Sequence, residues 1–374
     1  MSAIPTKPRA KTDTVPGGIP EAETTVVFRG DGEPLPPSLL VRLLADIGSD
    51  AGMDMDSYSR GGSVAELENR FAEALGKEAA IFMPTGTLAN HLAVRELGGA
   101  KPRAVVQEQS HLYNDTGDCV TRLSGINLLP LGKDRVCFTL EELKAAVAGS
   151  GSGRVANPVG AVMIESPVRR QMGQVVPFEE MVAITDFCRT QGIGTHLDGA
   201  RLYMMSAATG IGLKEYCGLF DTVYVSLYKY FGTPFGAVLA GDRSLIDGMF
   251  HTRRMFGGGL ASAYFVAALA LRGLEGFEER FKAALNQARD LFKMLNLLPG
   301  IDIKEFEHGS NIFPLTFGPG VDIERVVAGL RLSGICLYPD EGTDRYSRLT
   351  VNTTILRQSN DAIFQAFKGA LGGV

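Results

Sequence analysis

Two charged residues stand directly after strand-like apolar segments of the sequence. Lys229 follows the segment Asp221-Thr-Val-Tyr-Val-Ser-Leu-Tyr, and Asp198 ends the shorter segment Thr195-His-Leu-Asp. A lysine that forms a Schiff base and an acid that pairs with a pyridinium nitrogen are the two groups that pyridoxal phosphate chemistry takes from a protein. The pair therefore predicts a pyridoxal 5'-phosphate site in which Lys229 is the attachment point.

Both residues also have plainer interpretations. Lys229 could be a lysine that keeps its amine in water at the end of a strand. The turn that follows it, Gly232-Thr-Pro-Phe-Gly, holds the backbone tightly and favours an amine placed for a task. For Asp198 the alternative is a helix cap before Ala200.

A phosphate-binding turn is the second candidate feature. Pro84-Thr-Gly-Thr lies between an apolar segment and a helical pattern over residues 88–97, so Gly86 and Thr87 open a helix. Free N–H groups at a helix N-terminus attract anions, and glycine lets an anion approach closely. The alternative is a capping threonine with a turn glycine. No GxGxxG follows a strand and no P-loop motif occurs, so nicotinamide cofactors and P-loop nucleotides lack their usual sequence signals.

Three more residues could take part in chemistry. His111, after a strand-like segment, could stack on an aromatic cofactor and move a proton, or it could be a half-buried loop histidine. Arg201 could hold a carboxylate or the phenolic side of the cofactor, or form a surface ion pair. His196 and Asp198 share one face of a strand and could ligate a metal as a hydrolase does. Spacing places no third ligand, so we expect no metal site.

The composition is that of a globular protein and limits the partners. The chain has 374 residues, 45% of them hydrophobic and 21% charged, with a formal net charge of −5. This charge argues against nucleic acid as a partner, and no apolar stretch of about 18 residues is present to span a membrane. The amino-terminal basic residues precede no apolar run, and the five cysteines form no C-x-x-C pair. We therefore expect a cytoplasmic protein that acts on a small molecule.

The order of apolar segments predicts an α/β fold. Short apolar runs without alternation, separated by helical patterns, indicate a mostly parallel sheet covered by helices on both faces. After Gly276 the pattern changes to strand, helix, strand, strand and helix. We predict a mobile tail over residues 1–25, a large domain over 26–276 and a smaller C-terminal α+β domain over 277–374.

Six segments together resemble a known family. The likeness extends over residues 28–356 and rests on Val64-Ala-Glu-Leu-Glu, Pro84-Thr-Gly-Thr-Leu-Ala-Asn, Glu108-Gln-Ser-His, His196-Leu-Asp-Gly-Ala-Arg, Ser226-Leu-Tyr-Lys and Arg254-Met-Phe-Gly-Gly-Gly. These resemble the threonine aldolase group of the β-eliminating lyases, which are pyridoxal phosphate enzymes of fold type I. The resemblance implies a mostly parallel seven-stranded sheet, cleavage of a β-hydroxy amino acid to glycine and an aldehyde, and a homodimer or homotetramer.

The resemblance also implies a role for each candidate residue. Lys229 would hold the cofactor as a Schiff base, Asp198 would pair with its pyridine nitrogen and His111 would stack on its ring. The other implied roles are phosphate binding by Gly86 and Thr87, cofactor contact by Arg201, and binding of the substrate carboxylate by Arg348.

This sequence departs from the family pattern near the implied substrate pocket. The family has Arg-Ser-Asp-Thr where this chain has Arg29-Gly-Asp-Gly, and Glu-Asn-Thr-His-Asn-Gly where it has Glu165-Ser-Pro-Val-Arg-Arg-Gln-Met-Gly. Gly257-Gly-Gly-Leu-Ala has no arginine at the position where the family has one. Arg169, Arg170 and Tyr228 could reshape the pocket for another amino acid. β-Elimination or other Cα chemistry therefore remains an alternative, as does a catalytically silent binding protein.

Overall fold

The computed structural model describes residues 23–49, 52–339 and 345–372. Within the tail predicted over residues 1–25, Thr25 is buried, and residues 1–22 lie outside the described part. No helix in the described ranges has both the length and the apolar character needed to cross a bilayer.

The described residues form twelve strands, most of them in two sheets. They are β1 Val26–Val27, β2 Ala79–Met83, β3 Arg103–Gln107, β4 Asn127–Leu131, β5 Val159–Glu165, β6 Gly194–Asp198, β7 Thr222–Ser226, β8 Ala237–Gly241, β9 Ile301–Ile303, β10 Ile312–Phe317, β11 Ile335–Cys336 and β12 Tyr346–Thr350.

Fifteen α-helices are formed by the same residues. They are α1 Pro37–Ser49, α2 Gly62–Leu75, α3 Gly86–Gly98, α4 His111–Asn114, α5 Cys119–Ser124, α6 Leu140–Gly151, α7 Phe178–Thr190, α8 Leu202–Thr209, α9 Leu213–Gly218, α10 Arg243–Ile246, α11 Met249–Met255, α12 Tyr264–Leu274, α13 Phe277–Leu295, α14 Ile323–Leu332 and α15 Asn360–Leu371. Single 3₁₀ turns cover Arg169–Gln171 and Thr353–Arg357.

The central sheet has seven strands in the order β2-β8-β7-β6-β5-β3-β4. The five strands from β7 to β4 pair in parallel, whereas β8 is antiparallel to both β7 and β2. Every residue of β5, β7 and β8 is buried, as expected for strands covered on both faces. The predicted mostly parallel α/β sheet is confirmed, and the antiparallel direction of β8 adds a feature that the apolar runs did not reveal.

The parallel register brings the chemically interesting strand ends to one edge. Glu165 at the end of β5 lies opposite Asp198 at the end of β6, and Asp198 lies opposite Tyr224 of β7. Lys229 follows three residues after β7 ends. In open α/β sheets, ligands bind at the carboxyl ends of the strands, so this edge is the expected place for a site.

A second hydrophobic core forms in the C-terminal part of the chain. The antiparallel sheet β12-β10-β9 and helices α14 and α15 surround this core, which also takes in Val26 and Phe28. The predicted order of C-terminal elements is observed, except that the first strand is divided into β9 and β10.

Helix α13 connects the two cores. Its first turns place Phe277 and Phe281 in the core of the large sheet, and Leu285 and Leu291 then lie in the second core. The boundary predicted at residue 276 coincides with the start of this helix. The division into two domains stays a prediction, because the same rigid element packs against both cores.

Candidate active site

Asp198 is held at the carboxyl edge of the sheet by two hydrogen bonds. Its Oδ2 accepts from Asn90 Nδ2 at 2.6 Å, and its Oδ1 accepts from the backbone N–H of Ala200 at 3.1 Å. The side chain is buried, and the two donors fill one acceptor position on each of its oxygens. The carboxylate therefore has a fixed orientation before any ligand binds.

The amine of Lys229 interacts electrostatically with charged side chains at the carboxyl edge of the sheet. Burial and the positive charge of Arg201 lower the pKa of Lys229 to about 8, against the raising effect of the carboxylates of Asp198, Asp31 and Glu165. A lowered pKa increases the fraction of neutral amine near pH 7, which is the form that attacks a carbonyl carbon. Lys229 therefore interacts electrostatically with both Asp198 and Arg201, and the roles assigned to the three residues stay predictions.

Arg201 forms a buried ion pair with Asp31. Its Nε donates to Asp31 Oδ2 at 2.7 Å, and Asn311 Nδ2 lies 3.5 Å from Asp31 Oδ1. Burial raises the pKa of Asp31, but the Arg201 guanidinium offsets this effect, so the pKa lies below its ordinary value. A Cβ on Gly32 would approach the Lys229 carbonyl oxygen to 2.6 Å, so this segment packs directly against the lysine turn.

Sequence reasoning missed Asp31. It treated the segment from Arg29 to Gly32 only as a place where the family's hydroxyl is absent. The available signal was an acid between two glycines, three residues after the apolar segment 26–28. The pairing itself joins positions 170 apart in the chain, which local pattern cannot reveal.

Glu165 is a buried carboxylate that fixes two loops at this edge. Its Oε2 accepts from the backbone N–H of His111 at 2.5 Å, and its Oε1 accepts from that of Arg169 at 3.0 Å. Burial and the neighbouring charge of Asp198 raise the pKa of Glu165 to about 7. Sequence reasoning gave Glu165 no role, although an acid that ends a fully buried strand was a visible signal.

His111 begins α4, and its backbone lies beside Glu165 at the carboxyl edge of the sheet. Its ring is about one third exposed, and its Nδ1 lies 3.5 Å from Asp115 Oδ2. The same carboxylate accepts from Arg170 through a second oxygen at 3.1 Å. Asp115 thereby links His111 to the segment that departs from the family pattern.

The turn before α3 combines a cap with a close contact. Thr85 Oγ1 accepts from the N–H of Leu88 at 3.1 Å, so the capping interpretation is correct for Thr85. A Cβ on Gly86 would lie 2.0 Å from the Tyr224 hydroxyl oxygen, so only glycine fits there. On the same face of β7, the buried Ser226 hydroxyl forms no well-aligned hydrogen bond in the described part of the chain, although the Tyr224 hydroxyl interacts with it. A buried hydroxyl with spare hydrogen-bonding capacity, on the strand face that contacts the N-terminus of α3, suits an anionic ligand group.

Two predicted substrate-binding residues lie further out. Arg348 is exposed on β12, opposite Pro314 of β10. Beyond β12, the Val351 carbonyl accepts from Asn311 Nδ2, which also contacts Asp31. Arg169 is exposed in its 3₁₀ turn. The roles of Arg348 and Arg169 toward a substrate stay predictions.

His196 faces inward and both of its ring nitrogens are engaged. Nε2 lies 2.9 Å from Asn90 Oδ1, and Nδ1 lies 2.9 Å from Thr222 Oγ1. Burial lowers the pKa of His196 to about 4. Among residues 23–49, 52–339 and 345–372, no three His, Cys, Asp or Glu side chains are grouped to hold a metal ion. The metal-hydrolase alternative therefore finds no ligand set there.

Comparisons with known proteins point to one family. The family model described as "Beta-eliminating lyase" matches residues 43–315. A low-specificity L-threonine aldolase from Candida albicans is 30% identical over 267 residues, which cover 71% of this chain and 70% of that protein. The alanine racemase TOXG from Cochliobolus carbonum is 34% identical over 215 residues, covering 57% and 54% of the two chains.

The fold is shared with a solved structure over nearly its whole length. The crystal structure of a proposed L-allo-threonine aldolase from Listeria monocytogenes superposes with a TM-score of 0.76 at 29% identity. The match covers 93% of this chain and 97% of that one. The arrangement of sheet, covering helices and smaller antiparallel sheet is therefore that of the fold type I enzymes.

Proposed function

The chain belongs to the β-eliminating lyase family, and from that membership we propose that it is a pyridoxal 5'-phosphate-dependent aldehyde-lyase. It would cleave the Cα–Cβ bond of a β-hydroxy amino acid to give glycine and an aldehyde. The observation that carries the proposal is the Lys229 amine, with its lowered pKa, beside the fixed carboxylate of Asp198.

The residues at the carboxyl edge fit this cofactor. Lys229 is the amine for covalent attachment, and Asp198 is the buried acid for the ring nitrogen. Ser226 offers a buried hydroxyl with spare hydrogen-bonding capacity for the phosphate, and the N-terminus of α3, at Gly86 and Thr87, offers backbone N–H groups.

Two side chains flank those that attach the cofactor. His111 is the candidate for stacking on the cofactor ring, because Glu165 fixes its backbone and Asp115 contacts its side chain. Arg201, held by Asp31, is the candidate for contact with the cofactor or a substrate carboxylate.

When bound, pyridoxal phosphate supplies an electron sink that stabilises negative charge at the substrate Cα. The chain's own residues must then orient the substrate and move protons. Arg348, with Arg201 and Arg169 as further cations, is the candidate for holding the substrate carboxylate, so that the breaking bond stands perpendicular to the ring. His111, or a water held near it, is the candidate base for the β-hydroxyl proton, since Asp115 lies 3.5 Å from its Nδ1.

A second reaction on the same cofactor is a specific alternative. A relative named as an alanine racemase is 34% identical, and Arg170 is tied by Asp115 to the candidate catalytic histidine. These two observations favour β-elimination or another Cα reaction on a different amino acid as the second candidate.

Substrate profiling distinguishes the candidates. Aldehyde release should be measured with threonine, allo-threonine, phenylserine and 3-hydroxyaspartate, in parallel with ammonia and keto acid formation and with solvent deuterium exchange at Cα. Release of an aldehyde with equimolar glycine from any of these four β-hydroxy amino acids supports aldol cleavage. Ammonia with keto acid, or exchange without aldehyde, supports the second candidate. A coloured protein that is inert with every amino acid indicates a binding protein.

The assembly and the compartment are further proposals. We propose a homodimer or homotetramer, by analogy with the family, in a reducing cytoplasm. The five cysteines are unpaired, and four of them are buried, which suits a protein that needs no disulfide. Light scattering on the purified protein tests the assembly, and full activity from a monomer would contradict it.

A further inference from the structure

A continuous row of buried polar groups leads to Asp198 from the interior of the sheet. It begins at Thr222 on β7, passes through His196 on β6 and reaches Asn90 on α3. The Thr222 Oγ1 to His196 Nδ1 distance is 2.9 Å, His196 Nε2 to Asn90 Oδ1 is 2.9 Å, and Asn90 Nδ2 to Asp198 Oδ2 is 2.6 Å. Thr222, His196 and Asn90 have no exposed surface.

The direction of each hydrogen bond in this row follows from Asp198. An ionised carboxylate only accepts, so Asn90 must turn its amide nitrogen toward Asp198 and its oxygen toward His196. His196 Nε2 must then carry the hydrogen. Because burial lowers the pKa of His196 to about 4, the ring is neutral near pH 7 and its Nδ1 is free to accept from the Thr222 hydroxyl. This arrangement gives Asp198, Asn90 and both ring nitrogens a complementary partner, and the Thr222 carbonyl oxygen, 3.2 Å from Nδ1, is the competing acceptor for a hydrogen on Nδ1.

We infer that His196 and Asn90 are positioning residues that orient the Asp198 carboxylate toward the ring nitrogen of the cofactor. The inference rests on the proposed function. Asn90 and the Ala200 N–H take one acceptor position on each carboxylate oxygen, which leaves lone pairs for one further donor.

The neutral state of His196 matters for this role. A charged imidazolium close to Asp198 would offset the negative charge that the protonated ring nitrogen needs as its partner. A neutral ring donates its hydrogen without adding charge, so it fixes the geometry of Asn90 and leaves the carboxylate charge available. Loss of the row would allow Asn90 to turn its oxygen toward Asp198, which is repulsive.

The first experiment compares His196→Phe, His196→Gln and a control. His91→Gln is the matched control, because His91 follows Asn90 on α3 but bonds Ser124 at 2.7 Å, away from the row. We expect His196→Phe to raise the Kd for pyridoxal 5'-phosphate about tenfold or more and to alter the absorbance spectrum of the bound cofactor. His196→Gln, which keeps a donor, should recover most of the affinity, and His91→Gln should match the wild type.

A second experiment needs no cofactor and uses a milder change. In the apo-protein, ¹⁵N NMR should show His196 neutral with the hydrogen on Nε2 at neutral pH. Thr222→Val removes the donor to Nδ1 but leaves the Thr222 carbonyl 3.2 Å from it. The Nδ1–H tautomer should therefore gain population against the Nε2–H tautomer that Asn90 favours, and the Kd for pyridoxal 5'-phosphate should rise. This variant decides the matter if His196→Phe does not fold.

Failure of the positioning role and failure of the proposed function give different experimental results. An Nδ1–H or charged ring in the wild type, or normal Kd and spectra in His196→Phe or Thr222→Val, would overturn the positioning role alone. A wild-type protein that does not bind pyridoxal 5'-phosphate would overturn the proposed function and this inference with it.

Discussion

Arg201 and Asp31 form an ion pair at 2.7 Å in which the two side chains are only 10% and 11% exposed. The pair joins the turn after β6 to the glycine-flanked segment that packs on the Lys229 backbone. The ion pair therefore holds a cation near Lys229 and also keeps the segment around Gly32 packed against the Lys229 backbone.

Removal of the Asp31 charge should destabilise the protein. Asp31→Asn leaves Arg201 buried without its counter-ion, and breaking a buried pair in this way costs about 3 kcal/mol. Urea unfolding of the apo-protein measures the change. Asp302→Asn is the control, because its pair with Lys304 is exposed and should contribute less than about 1 kcal/mol. Equal effects of the two substitutions would contradict the buried pairing.

Lys229→Ala should abolish covalent attachment of the cofactor and turnover while the circular dichroism spectrum stays that of the wild type. The partly buried amine is the proposed attachment point, so borohydride reduction should label the wild type at Lys229 and leave the variant unlabelled. Lys214→Ala, at an exposed position, should behave as the wild type. Wild-type turnover by the Lys229 variant would refute the assignment.

Glu165 should make the stability of the apo-protein depend on pH. Its pKa is raised from 4.5 to about 7 by burial and by Asp198, so the folded state holds this proton more tightly than the unfolded chain. That stabilisation is complete below about pH 4.5 and is lost as the pH rises through 7. Glu165→Gln cannot titrate, so the wild-type unfolding free energy should fall relative to the variant by on the order of 3 kcal/mol across this window. Parallel pH curves for the two proteins would rule out the raised pKa.

Gly86→Ala should disturb the turn before α3. The added Cβ would lie 2.0 Å from the Tyr224 hydroxyl oxygen, so the tyrosine or the helix start must move. Overpacking of this kind costs roughly 1–3 kcal/mol, and cofactor affinity should fall as well. Gly149→Ala is the control, because that helical glycine has open space around it and alanine favours the helix. An unchanged melting temperature and Kd in Gly86→Ala would show that the turn adapts without cost.

Several features of this protein could be predicted locally. The spacing of Val64, Leu67, Phe71 and Leu75 predicts the buried face of α2, and all four side chains are fully buried. Asp198 and the turn that carries Lys229 lie at the same edge of the sheet, because the carboxyl ends of neighbouring parallel strands share that edge. For these residues the order of apolar segments along the chain is enough to predict their location, because parallel pairing places the carboxyl ends of the strands at one edge.

Other features were decided by the tertiary structure alone. The side-chain partners of Asp198 and Arg201 are Asn90 and Asp31, which are 108 and 170 positions away in the chain. Apolar faces and charged strand ends could be predicted from the order of residues, because the periodicity of apolar residues indicates which face of an element is buried. Packing decided which distant polar groups form hydrogen bonds. A buried polar group needs a partner to offset its loss of water, and for Asp198 and Arg201 the fold brings that side-chain partner from a distant part of the chain.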